Sequence, residues 1–176
     1  TRTRSMDFTL ILVSIIILVA LAFDFVNGFH DAANSIATIV ATRVLSPKMA
    51  VLWAAVFNFI AVFTVGTGVA STVGAGMIDL KFVTPLVIMA GLVGAIVWDL
   101  ITWWFGLPSS SSHALIGGYA GAAMANAARL RGLDHSFEVL KAAAWIKTLI
   151  FIVVAPVVGM VLAYLLMMLV FWGFRN

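Results

Sequence analysis

The 176-residue chain has no cysteine, which excludes disulfides and thiolate metal centres and leaves its redox compartment open. Charge is nearly as scarce: Lys, Arg, Asp and Glu together make up 10% of the residues, where a soluble domain carries about a quarter. The ten-residue alternation of polar and apolar positions that marks the strands of a membrane barrel is also missing. A formal charge of +3 does not point to nucleic acid, because in membrane proteins an excess of Lys and Arg usually marks cytoplasmic loops.

What the chain has instead is apolar surface. Of its residues 64% are hydrophobic and the mean hydropathy is +1.16, the profile of an all-α integral membrane protein. A bilayer core about 30 Å thick takes roughly 20 apolar residues per helix, and several such runs follow one another between short polar breaks. They are residues 8–26, a shorter and more polar run 31–45, then 49–71 and 82–105, separated by the Gly-rich "STVGAGMIDLK". Residues 108–128 are small and polar at the start, which suits a re-entrant or protein-buried helix. From 137 to 173 the sequence predicts an interfacial piece to about Lys147, then a span from Thr148 to Trp172 kinked at Pro156. All 176 residues read as one membrane domain.

The N-terminal "TRTRS" before an apolar run, with Ala20-Leu21-Ala22 behind it, imitates a secretory signal. A chain that continues through several more spans argues against that reading. The natural chain is expected to begin at Met6, with Thr1 to Ser5 an added remnant.

Two stretches stand out as chemistry. In "DFVNGFHDAANSIATIV", Asp24, Asn27, Asp31, Asn34 and Thr38 are spaced by three and four, so a continuous helix would carry them on one face. Each aspartate at bilayer depth costs about 2.5–3.5 kcal/mol, so the stripe must face a cavity, an ion or other protein. Gly28 is the expected point of a break, which would free carbonyls for a hard cation such as Na⁺ and helix N-termini for an anion. By contrast, a lone amide such as Asn58 or Asn126 is expected only to join helices by hydrogen bonds.

The second stretch is "GLPSSSSHALIGG". Pro108 suits a first helical turn and the serines are good N-caps, so a helix is expected to begin near Ser109. Its free N–H groups, the hydroxyls of Ser109, Ser110, Ser111 and Ser112 and the positive end of its dipole make an anion site. Gly117, Gly121 and Ala125 recur every four residues and are expected to form its packing face. His113, like His30, is a candidate for a proton-linked role.

"DFVNGFHDAANSIATIVATRVLSP" closely resembles the signature of the inorganic phosphate transporter (PiT) family, here Gly28, Asp31, Ala33 and Asn34, and "GLPSSSSHALIGG" resembles the family's second hallmark. The resemblance implies a secondary transporter of inorganic phosphate in the cell (inner or plasma) membrane, with no cofactor and a coupling cation, Na⁺ in many members and H⁺ or a metal–phosphate complex in some bacterial ones, with Na⁺ expected ahead of H⁺ here. By that resemblance Asp24, Asn27, Asp31 and Asn34 bind the cation, with Asp31 and Asn34 the surest Na⁺ ligands. Asn34 and Ser109 to Ser112 contact phosphate. The family is built from two inverted halves, each with one Asp/Asn motif, and this chain carries only the first, so its expected partners include a second half or a second copy of itself.

That architecture requires an odd number of crossings, so about five spans are expected, with 108–128 re-entrant. Arg43, Lys48, Arg129, Arg131, Lys141 and Lys147 then share one side against Lys81 and Arg175, which fits the positive-inside rule and puts Ser46 and Ser136 on the same face. Two other functions share some of these features. An anion channel would have the same polar stripe, and a membrane hydrolase could pair Ser109 with His113, although no Gly-x-Ser-x-Gly elbow surrounds them.

Overall fold

The computed structural model describes residues 2–64 and 66–175, without the side chains of 2–6 and 69. Of the expected remnant Thr1 to Ser5, Thr1 and the side chains of residues 2–5 lie outside the described residues. The described residues are mostly helical, with an isolated bridge between Ile78 and Leu140.

Helix α1 runs unbroken from Arg2 to Ala41, roughly 60 Å at about 1.5 Å per residue. The break expected at Gly28 does not occur. Gly28 costs a helix about 1 kcal/mol relative to Ala, which contacts on either side of it offset: Phe23 and Val26 are buried before it and His30 after it. The helix stops where Arg43 adopts a left-handed φ of 59°. There Val44 N–H reaches back to Ile39 O and Arg43 N–H to Val40 O, both at 3.1 Å, the paired bonds of a Schellman ending. Pro47 then opens α2 (Pro47–Thr64), which folds back along α1, so that Ser35, Ile36 and Ile39 face Ala50, Trp53 and Phe57 across a shallow cleft.

After α2 come a single turn, α3 (Gly68–Ser71), and a π-helical segment over Thr72–Gly76, where one continuous run to residue 71 was expected. Helix α4 (Pro85–Trp104) is capped by the Thr84 hydroxyl, which accepts from Val87 N–H, and has Pro85 in its first turn. It ends in a second Schellman pair, with Leu107 N–H bonded to Thr102 O at 2.8 Å and Gly106 N–H to Trp103 O at 3.1 Å. Gly106 supplies the positive φ of 64° that this ending needs.

Helix α5 (Ser111–Arg131) returns antiparallel to α4. The two backbones cross at Gly91 and Gly118, where a Cβ on Gly118 would stand 2.5 Å from Gly91 O. The packing face of α5 is Gly118, Tyr119, Ala123 and Ala127, the last three buried. The expected stripe fails, since Gly117 and Gly121 have open space where a Cβ would point and Ala125 is exposed. Asn126 does join elements, donating from Nδ2 to Phe82 O at 2.9 Å.

Helices α1 and α4 lie side by side in the same direction. Phe23 packs with Leu92 and Ala95, His30 bonds Thr102 one layer on, and Asn34 reaches Ser109 beyond that. At the end where α4 begins, the segment 77–82 is tied to the loop after α5. Asp79 N–H donates to Val139 O at 2.9 Å and Lys141 N–H to Met77 O at 3.0 Å, while Arg131 lies over the Phe82 ring. Lys81 therefore shares its end with Arg129, Arg131 and Lys141, and Arg43 and Lys48 lie at the other. This overturns the expected sidedness. That expectation counted residues 8–26 and 31–45 as two crossings, whereas an unbroken α1 makes them one.

The last helix, α6 (Ala142–Gly173), is continuous through Lys147 and Pro156 and has no buried residue. The expected division at Lys147 is absent because no Gly or Pro between Ala142 and Ala155 interrupts the helix there. Among the described residues four helices, α1, α2, α4 and α6, are long and apolar enough to cross a membrane. The chain is an all-α, multi-pass membrane protein.

Candidate functional site

The polar stretch of α1 and the serine-rich start of α5 meet against the last turns of α4. Ser110 is the N-cap of α5, its hydroxyl accepting from His113 N–H at 3.4 Å, and the helix begins at Ser111, two residues later than the start expected near Ser109. An N-cap leaves the other first-turn N–H groups without intrahelical partners and with the positive end of the dipole behind them. Into this region Asp31 brings its carboxylate, Oδ1 accepting from Ser111 Oγ at 3.3 Å. One turn further along α1, Asn34 Nδ2 donates to Ser109 O at 3.3 Å. Ser109 Oγ in turn accepts from Trp98 Nε1 at 3.3 Å.

Beside this junction His30 is buried and held by both ring nitrogens, Nδ1 lying 3.2 Å from Asp31 Oδ1 and Nε2 3.0 Å from Thr102 Oγ1. Thr102 directs its own hydroxyl proton to the carbonyls of Trp98 and Asp99. Asp31 stays partly open, its side chain 40% exposed. Two open clefts flank the Asn34–Ser109 contact. One, of about 430 Å³, is bounded by Trp98, Ser109, Ser110 and His113. The other, of about 380 Å³, is bounded by His30, Asn34, Thr102 and Pro108. Either is roomy enough for a small tetrahedral oxyanion.

The sequence-derived residues thus separate. Asp31, Asn34, Ser109, Ser110 and Ser111 are brought together, with His30 behind them. Asn27 lies one turn down α1, half-buried, while Asp24 is exposed on the outer edge of the same face. Ser112 and His113 are exposed, His113 on the wall of the larger cleft. Ser109 lies in the loop before α5, so the four-residue helical spacing that a Ser109–His113 hydrolase pair needs does not exist. Two residues went unassigned in the sequence, Thr102 and Asp99. The signal for Asp99 was there, an ionisable group in the middle of an apolar span.

Among the described residues no three His, Cys, Asp or Glu side chains converge as ligands for one metal ion. The groups that do converge are carboxylate, amide and hydroxyl oxygens. Such oxygen donors suit a hard cation rather than a soft transition metal.

The family model described as "Phosphate transporter family" matches residues 27–176. The chain belongs to that family. It is 55% identical over 159 residues to a "Probable low-affinity inorganic phosphate transporter" of Rhizobium meliloti (strain 1021), a match covering 90% of this chain and 45% of the relative. It is 45% identical to a protein of the same description from Bacillus subtilis (strain 168), over 97% of this chain and 49% of that one. To the "Low-affinity inorganic phosphate transporter PitB" of Escherichia coli (strain K12) it is 37% identical, over 85% of this chain and 32% of the relative. The chain thus spans about half the length of the first two. No solved structure matches. Family and relatives alike are transporters, not enzymes, and a member with several apolar helices is a multi-pass protein of the cell membrane.

Proposed function

We propose that this chain supplies one half of the substrate pathway of a secondary transporter that carries inorganic phosphate together with a cation, Na⁺ in preference to H⁺. The observation that carries the reading is the junction of the two polar motifs, Asp31 with Ser111 and Asn34 with Ser109. The start of α5 offers backbone N–H groups and serine hydroxyls to phosphate oxygens. The carboxylate beside it repels the same anion. Two unit charges 4 Å apart interact by about 4 kcal/mol at an effective dielectric constant near 20, so the anion binds well only when a cation neutralises Asp31. That requirement couples the two solutes, and Asn34 is placed to touch both.

Exposure of Asp24, Asp31 and Ser112 fits a site completed by further protein, either a second half or a second copy. The descriptions of the relatives as inorganic phosphate transporters favour phosphate over other oxyanions. The deciding experiment is uptake of radiolabelled phosphate into proteoliposomes containing the intact protein, with Na⁺ and pH gradients imposed separately. Saturable uptake driven by the Na⁺ gradient is expected. Non-saturating flux would indicate an anion channel, and uptake driven by the pH gradient alone would make the coupling ion a proton.

A further inference from the structure

Three buried oxygen atoms on two side chains, one helical turn below the phosphate junction, have no hydrogen-bond partner. Asp99 is completely buried on α4, with neither Oδ1 nor Oδ2 bonded, and Asn27 Oδ1 on α1 is likewise buried and unbonded. Their positions coincide along the bundle. Helices α1 and α4 run in the same direction, in register at Phe23 with Ala95 and at His30 with Thr102. Asn27 precedes His30 by three residues and Asp99 precedes Thr102 by three, so both occupy the layer between those contacts. The hydroxyl of Ser111 closes that layer from α5, between the Asp31 and Asp99 carboxyls. The hydrogen bond it makes is to Asp31, at 3.3 Å.

Among the described residues no hydrogen bond reaches the Asp99 oxygens, although His30 lies close enough to act on them electrostatically. Both nitrogens of His30 are engaged, one by Asp31 and the other by Thr102, and Thr102 gives its proton to backbone carbonyls. No Lys or Arg occurs on α4 or among residues 111–128 of α5. A carboxylate removed from water without a donor is strongly unfavourable, and an unbonded amide oxygen in the same layer adds to the deficit. An ion that brings positive charge and needs oxygen ligands resolves both.

We propose that Asp99 and Asn27, with the Ser111 hydroxyl as a third ligand, form a binding site for a monovalent alkali cation of the Na⁺ class beneath the phosphate junction. The inference rests on the transport reading above and deepens it, because a cation here lies under the start of α5 and adds positive potential where the anion enters. Ser111 is the link. A cation that engages its oxygen leaves its proton directed at Asp31 or at an incoming phosphate.

The test uses the intact transporter in detergent and in proteoliposomes. Equilibrium binding of ²²Na⁺ and the Na⁺-dependent shift in melting temperature are measured beside phosphate uptake. Asp99→Asn is expected to weaken ²²Na⁺ binding and raise the half-saturating Na⁺ for uptake by at least about tenfold, with phosphate affinity at saturating Na⁺ within about threefold of wild type. Asn27→Ala keeps the carboxylate and removes the amide oxygen, so it shifts Na⁺ affinity in the same direction by a smaller factor. It also serves as the test if Asp99→Asn does not fold. Unchanged Na⁺ binding in a folded Asp99→Asn protein, or in Asn27→Ala where that variant must stand in, overturns the site, as does a wild type that binds no alkali cation. A wild type that takes up no phosphate but binds ²²Na⁺ through Asp99 would refute the transport reading and leave this site standing.

Discussion

Ser111 Oγ stands 3.3 Å from Asp31 Oδ1 across 80 positions of sequence, and through that contact the start of one helix acquires the carboxylate of another. An acidic group at a helix N-terminus is favourable by about 0.3–1 kcal/mol when exposed. Here it also fills the place where an anion would bind, so cation and anion binding depend on each other.

Asp31→Asn keeps the shape of the side chain and removes its charge. Coupled phosphate uptake is expected to fall by at least about tenfold, a change of roughly 1.4 kcal/mol, while the protein remains folded by circular dichroism and gel filtration. Uptake at the wild-type rate would remove Asp31 from the coupling site.

The serines should divide by role. Ser110 caps α5, so Ser110→Ala should cost about 1 kcal/mol of stability and Ser110→Gly only a few tenths, read from thermal unfolding in detergent. Ser111→Ala leaves the cap intact and removes the hydroxyl directed at Asp31. Isothermal titration should then show weaker phosphate binding without a matching loss of stability.

The α4–α5 crossing depends on Gly118 and not on Gly117. Gly118→Ala drives a methyl group into the Gly91 carbonyl, a backbone atom that cannot swing aside. A loss of about 1–3 kcal/mol is expected, as for other overpacked sites. Gly117→Ala and Gly121→Ala point into open space, and their melting temperatures should stay near wild type. Equal destabilisation by Gly117→Ala would mean that α5 is rotated by a residue from the arrangement described.

Ser46 follows α1, and Asp134 lies in the loop tied to the opposite end of the bundle. Cysteines placed singly at Ser46 and Asp134 should therefore be labelled by an impermeant reagent from opposite faces of the membrane. Labelling of both from one face would require α1 to break after all.

The membrane class, the helical architecture and the two chemical motifs were legible in the sequence because each depends on local facts. Burying a charged residue in lipid is costly wherever it occurs. The three-and-four spacing of Asp24 to Asn34 defines a face in any helix, and a Ser-rich start after proline caps a helix whatever lies around it. Tertiary structure decided the rest. Gly28, the expected break, lies inside one helix because contacts on both sides of it hold α1 straight, and that single difference changed the crossing count and moved Lys81 to the other end. The packing face of α5 fell one residue from the expected stripe, since a turn of about 100° per residue lets a distant helix choose between adjacent faces. Asp99 was visible as a charge in an apolar span, but its isolation was not. That isolation follows from the register between α1 and α4, set by apolar contacts such as Phe23 with Ala95 that no local pattern specifies, and from the occupation of His30, Thr102 and Ser111 by other partners.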